Sequence, residues 1–358
     1  MATDGTVFVA HGAGDKSAVF AINGESGQIV GSIHAYSMRR ADATGEPLPA
    51  SVTGTPALSA DGRGYIAAED MILAFKTDTG EHLGVYRAEF GDIGTDPTVG
   101  SDGTIFFGAK DTAIALDEDG REKWTTSGLG GLVGSPAVTS DTVYVLAQSG
   151  VLYALDVQTG RRKWEFNTGR RARSSPAVAD DGTVYIATGK LHALSPQGTR
   201  QWEFDPPTGM SPEGELQSSP AIGPDGVLYL GMGSAVYAID PNGTEKWRRE
   251  TKGLVASSPA VDAAGVVYAT SRDGSLYALF GRSGNVKWQF EAGSPLVSSP
   301  AIGPAGVVYF LAYDGGTVRG RAIHPALFAI GVGAAADASS TSASPQTGPQ
   351  RPAAPGNQ

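Results

Sequence analysis

Apolar positions in this chain come in short unbroken runs, not at helical spacing. TVYVLA (142–147), VLYALD (151–156) and RRKWEF (161–166) follow one another, separated only by QSG and VQTG. Such runs of Val, Leu, Tyr, Ile and Thr predict strands. Their continuity, without polar alternation, predicts sheets covered on both faces. No segment carries a helical period.

The runs recur. SSPAVADDGTVYIATG (174–189) is echoed by SSPAIGPDGVLYLGMG (218–233), SSPAVDAAGVVYATS (257–271) and SSPAIGPAGVVYFLA (298–312). Pro56, Pro97, Pro136, Pro176, Pro220, Pro259 and Pro300 mark a step of about 40 residues, and Trp124, Trp164, Trp202, Trp247 and Trp288 keep nearly the same step. Each unit reads as four strands. The proline opens the first, where a missing N–H is tolerated. Pairs such as Asp181-Gly182 and Asp225-Gly226 close the first hairpin, with glycine supplying a positive φ.

A four-stranded repeat of this period predicts an all-β protein, a β-propeller with one antiparallel blade per repeat. Complete units begin near residues 53, 94, 133, 173, 217 and 256. Segment 3–34 adds strands two to four of another unit. Segment 297–330 adds two strands, an insertion and a third candidate, ALFAI. A seven-bladed ring would duplicate the second and third strands where the ends meet, so eight blades are expected, thin at the first and last. The propeller is assigned to residues 1–330. The Ala/Ser/Pro/Gly-rich remainder, 331–358, has no aromatic residue and is expected to be a disordered tail. The start, ATDGTVFVA, resembles the interior of a repeat, which suggests that sequence upstream of Met1 is missing.

ALDVQTGRRKW (154–164) fits the pattern Ala-x-Asp-x-x-Thr-Gly-x-x-x-Trp in full. This resembles the tryptophan-docking motif of pyrroloquinoline quinone (PQQ)-type propeller repeats. Other copies are looser. AIDPNGTEKW (238–247), ALDEDGREKW (115–124) and ALSPQGTRQW (193–202) are one residue short, and ALFGRSGNVKW (278–288) has Phe280 at the Asp position. The first two units carry Gly31 and Gly84 where Trp is expected. The resemblance implies that Trp124, Trp164, Trp202, Trp247 and Trp288 dock between blades. It also implies one of two kinds of protein: quinone-dependent dehydrogenases, or the propeller lipoprotein of the outer-membrane β-barrel assembly machinery, which is non-catalytic and needs no cofactor. A periplasmic or outer-membrane location follows from the second.

Composition narrows the chemistry. There is no cysteine, which removes thiolate catalysis, Cys-ligated zinc and the adjacent-cysteine disulfide that the resemblance implies beside a quinone. A net charge of −10 argues against general nucleic-acid affinity. No apolar run reaches membrane-span length. The five histidines show no metal spacing, and His192 replaces the tyrosine of LYAL, a packed strand position. Asp117-Glu118-Asp119-Gly120 reads as a hairpin turn, not a calcium loop. The serines of SSPA recur too often to be nucleophiles. Neither catalytic residues nor a cofactor or metal site is assigned.

Topology then places recognition. In a blade the 1–2 and 3–4 loops share one face and carry short, near-identical turns. The 2–3 loops and the links to the next blade share the other face, and the irregular segments 35–52, 205–217 and 313–325 all belong to it. Variable loops on a rigid scaffold are where binding usually resides. Arg39, Arg40, Arg170, Arg171, Arg173, Arg319 and Arg321 gather on this face, a set suited to an acidic peptide or an extended protein segment. The sequence thus predicts a monomeric, non-catalytic protein-binding scaffold. The alternatives are a PQQ-dependent dehydrogenase and a ligand-sensing module of a larger protein.

Overall fold

The structure, a computed structural model, describes residues 5–11, 18–24, 26–34, 52, 54–206, 218–303, 306–312, 317–318, 321–322 and 326–331. Its regular elements are β-strands, arranged as an eight-bladed propeller. Blades 2 to 7 are four-stranded antiparallel meanders. Blade 4 is the fullest, with Leu132–Val138, Thr142–Ala147, Val151–Asp156 and Arg162–Asn167. Blade 1 has three described strands (Thr6–His11, Ala18–Asn23, Ile29–His34), as does blade 8 (Ala301–Ile302, Val308–Ala312, Ala326–Ile330). ALFAI therefore pairs as the third strand of the last blade, and the insertion before it contains the small hairpin Thr317–Val318/Arg321–Ala322.

Burial follows the position of each strand. The second and third strands of blade 3, Ile105–Ala109 and Thr112–Leu116, are buried at every residue, because a blade is sandwiched between two others. Apolar clusters accordingly span junctions: Tyr144, Leu146 and Leu152 of blade 4 pack with Val184, Ile186 and Leu194 of blade 5. The fourth strand is the outer edge, and there Arg162–Asn167 alternates exposed and half-buried residues.

In most blades the first strand is shorter than the sequence suggests. Blade 5 pairs only Ala177–Val178 with its second strand. The reason lies in the two residues before the proline, which have separate tasks. The first closes the blade's own inner hairpin: Ser174 Oγ donates to Ala187 O at 2.7 Å, and Ser218 Oγ accepts from Gly231 N at 2.9 Å. The second turns its N–H away from the ladder and toward the next blade. Ser135 N donates to Ser175 Oγ (2.8 Å), Ser175 N to Ser219 Oγ (2.8 Å), Ser219 N to Ser258 Oγ (2.9 Å) and Ser258 N to Ser299 Oγ (3.0 Å). Five successive blades are thus linked by the repeated serine, whose task is architectural.

At the outer edge, tryptophans make the same forward step. Trp124 Nε1 donates to Val157 O (3.0 Å), Trp164 to Pro196 O (2.8 Å), Trp202 to Pro241 O (2.8 Å) and Trp247 to Gly281 O (2.7 Å). Each of these indoles covers a left-handed glycine in the turn of the next blade. A Cβ added at Gly160, Gly198, Gly243 or Gly284 would come within 2.5, 2.6, 2.7 or 2.6 Å of the ring. The five Trp rings, Trp288 included, also lie 5.7–5.9 Å from an aromatic ring of the second strand of their own blade.

The ring closes between blades 8 and 1. Tyr309 OH donates to Gly24 O at 2.9 Å, repeating the bond of Tyr229 OH to Gly281 O (3.1 Å) across the junction of blades 6 and 7.

Candidate recognition face

The links between blades are bolted to the 2–3 loops of the blades they leave. In blade 4, Thr168 N donates to Gly150 O (3.0 Å) and Ala172 N to Gln148 O (3.0 Å). Blade 7 repeats this with Ala292 N to Gly274 O (2.8 Å). The arginines of the first link thus project from a pinned backbone. Ala172 is fully buried, whereas Arg170, Arg171 and Arg173 are exposed. Thr168 Oγ1 donates to Arg170 O (3.1 Å), fixing the turn that carries them. Arg39, Arg40 and Arg319 lie outside the described residues, as does the side chain of Arg321, whose backbone belongs to the small hairpin of blade 8.

Blade 7 adds a polar cavity of about 370 Å³ on this face that sequence reasoning missed. Lys252, Arg272, Asp273, Gln289, Glu291 and Ser294 line it. Its wall is ordered by Asp273, whose carboxylate accepts from Lys252 N (2.9 Å), Ser275 N (2.9 Å) and Tyr277 OH (2.8 Å). Burial first, and then this carboxylate, push the Tyr277 phenol up to about 12. The phenol is therefore a donor throughout the physiological range. These residues come from one loop, one edge strand and two links, so the linear sequence gives no motif for them.

The inner rim departs from the repeated serine in blade 2, which carries Thr55, and more sharply in blade 3. At the position occupied by Ser135, Ser175, Ser219, Ser258 and Ser299, blade 3 carries Asp96. This half-buried carboxylate receives Ser135 Oγ at 3.4 Å and hydrogen bonds from Thr55. Desolvation raises its pKa above the usual carboxylate value despite these bonds. Gly54 leaves room for it, since a Cβ there would collide with Asp96 Oδ1.

His192 is 3% exposed, its ring 5.9 Å from that of Phe166 on blade 4, and its Nδ1 has no hydrogen bond. Asp117 Oδ1 accepts from Asp119 N (3.0 Å) and Arg121 N (2.8 Å), the bonding of a hairpin turn. Among the described residues no group of three or more His, Cys, Asp or Glu side chains converges as a metal site would. No helix among them is long and apolar enough to cross a membrane.

The family model described as outer membrane protein assembly factor BamB matches residues 68–206 and 187–324. The chain belongs to this family of PQQ-like propellers. Among solved structures it is similar to BamB from Moraxella catarrhalis, with a TM-score of 0.66 and 18% identity over 87% of this chain and 89% of that one. It is similar also to a quinohemoprotein alcohol dehydrogenase from Comamonas testosteroni, with a TM-score of 0.68 and 17% identity over 87% and 70% of the two chains. At these identities the likeness shows the shared fold. In sequence it is 30% identical over 230 residues to the serine/threonine-protein kinase AfsK of Streptomyces griseus, a match that covers 61% of this chain and 28% of the kinase. The chain thus spans little more than a quarter of that relative.

Proposed function

We propose that this BamB-like propeller is a non-catalytic scaffold that binds an extended, acidic protein segment on its loop face, in association with the cell envelope. The observation that carries the reading is the exposed trio Arg170, Arg171 and Arg173 on a backbone fixed by Gln148 and Gly150. Guanidinium groups on a rigid turn keep the fork geometry that grips carboxylates. The test is anisotropy of a labelled oligo-glutamate peptide. Reversing the trio to glutamate is expected to weaken binding at least about tenfold, while Lys163→Glu on the opposite face leaves it unchanged. Equal affinity of the triple variant and the parent would sink the proposal.

The match to the kinases favours a second reading, in which the propeller is the recognition module of a larger signalling protein. A fusion to a kinase domain should then change its autophosphorylation when the acidic peptide is added. Autophosphorylation that ignores the peptide argues against it.

A quinone dehydrogenase fits the described residues poorly. At the inner rim, four serine hydroxyls accept from the preceding blade, and Asp96 stands without a converging cation-binding set. Alcohol oxidation on adding PQQ and Ca²⁺ would restore that alternative.

A further inference from the structure

Blade 2 lacks the tryptophan that docks on the next blade. On the edge strand of blade 2, His82–Arg87, Gly84 pairs with Ala74 in the register in which Trp164 pairs with Ala154. Gly84 therefore stands where an indole would reach toward blade 3. The receiving glycine of blade 3 is Gly120, whose φ of 78° matches that of the docking glycines. Added Cβ atoms at Gly84 and at Gly120 each meet nothing within 4 Å. The space over Gly120 that four sister junctions fill with an indole is open.

The other parts of the seat are present. The carbonyl equivalent to Val157 O and Pro196 O is Glu118 O, and Arg63 Nη1 donates to it at 2.8 Å. Arg63 thus takes the hydrogen-bonding place of the indole N–H without covering the glycine, and a carbonyl has a second lone pair. Tyr65 occupies the register of Tyr144, the ring against which Trp164 lies. The junction is otherwise intact, with the rings of Tyr86 and Phe107 5.8 Å apart. By contrast, Gly31 of blade 1 leaves no opening. Its backbone sits directly on the next turn, with a Cβ on Gly80 meeting Gly31 Cα at 3.5 Å.

We propose that the opening over Gly120, between blades 2 and 3, is a docking site for a tryptophan side chain carried on a basic segment of a partner protein. The occupant's chemistry is set by the sister seats, where a flat ring lies over glycine with its N–H on the turn carbonyl. Arg63 adds a cation for the ring face. Basic flanks are favoured by Asp117, Glu118 and Asp119, which outnumber the cations at the opening, Arg63 and Arg121, of which Arg63 pairs with Asp61 at 3.2 Å and Arg121 with Asp119 at 2.6 Å. The five tryptophans of this sequence are all placed in the edge strands of blades 3 to 7, so none of them stands at this seat. The site is independent of the loop-face reading.

The probe is a Lys-Trp-Lys peptide labelled with fluorotryptophan and followed by fluorine NMR against the full chain. Binding is expected as a shifted, broadened resonance, and a Lys-Ala-Lys competitor should not reverse it. Gly84→Trp fills the seat from within and is expected to weaken binding at least about tenfold. Glu118→Lys with Asp119→Lys, both at exposed positions, is expected to weaken it several-fold and serves if Gly84→Trp fails to fold. An unmoved resonance with the parent protein, or equal binding by a folded Gly84→Trp variant, overturns the proposal. So does binding that is indifferent to the charge reversals.

Discussion

The phenol of Tyr309 and the carbonyl of Gly24 are 285 positions apart and joined by a 2.9 Å hydrogen bond. Tyr229 and Gly281 form the same bond, and added Cβ atoms at Gly24 and Gly281 would meet the tyrosine hydroxyl at 2.8 and 2.6 Å. The closing junction therefore repeats a bond that an interior junction also makes.

Tyr309→Phe removes this bond and leaves Gly24 O without its donor. It is expected to cost about 1–3 kcal/mol. The loss should appear as faster amide exchange in blades 1 and 8, while Tyr229→Phe speeds exchange in blades 6 and 7. Uniform exchange changes in both variants would contradict a local closure.

Trp124 is the most buried of the five docking rings, at 7% exposure. Trp124→Ala should cost about 3–5 kcal/mol in chemical denaturation. Trp124→Phe keeps most of the ring contact but loses the bond to Val157 O, and should cost about 1–2 kcal/mol.

Gly160 and Gly120 share nearly the same φ, 68° and 78°, but only Gly160 lies beneath an indole. Gly120→Ala should cost about 1 kcal/mol, the strain of a left-handed alanine. Gly160→Ala adds overpacking against Trp124 and should cost about 2–4 kcal/mol. Equal losses would mean that the space over Gly120 is not open.

Burial holds the His192 imidazole below its ordinary value, with Glu203 opposing the shift and the charges of Arg200 and Lys190 reinforcing it. The native state keeps this ring neutral, while the unfolded chain takes up a proton below about pH 6.5. Stability should therefore fall as pH drops through about 6.5, until the native ring also protonates. His192→Tyr, which restores the residue of other blades, should flatten stability measured between about pH 7.5 and 5.

Asp96 works in the opposite sense. Its raised pKa means that ionisation is disfavoured in the folded state, so it lowers stability above its unfolded value of 3.8 and ceases to do so below it. Asp96→Ser should be more stable than the parent at neutral pH. The gap should close as the melts are moved toward about pH 4.

The fold was legible because each blade repeats its strands, turns and Trp. SSPA gave the period, and the all-apolar runs announced sheets covered on both faces. What escaped were features that exist only between blades. Nothing in the text around Gly24 or Tyr309 marks them as partners. Gly31 and Gly84 look alike in sequence, yet one is covered by the next turn and the other faces open space, because the difference lies in how the adjoining blades sit. The cavity in blade 7 was equally hidden, its wall coming from segments that are unremarkable alone. Arg170, Arg171 and Arg173 were legible as a cluster because they are nearly contiguous.

The serine links also give the ring a direction. Ser175, Ser219 and Ser258 each give an N–H forward and accept one from behind, and the four bonded tryptophans reach the same way. Each of these blades therefore has a plug side and a socket side, built from the same kinds of group. A whole blade gained or lost in the gene would leave those couplings matched, whereas a fraction of a blade would strand a plug. For a lineage built this way, copy number is the easy variable, and novelty must arise in the few positions, such as Gly84, where a plug has been withdrawn.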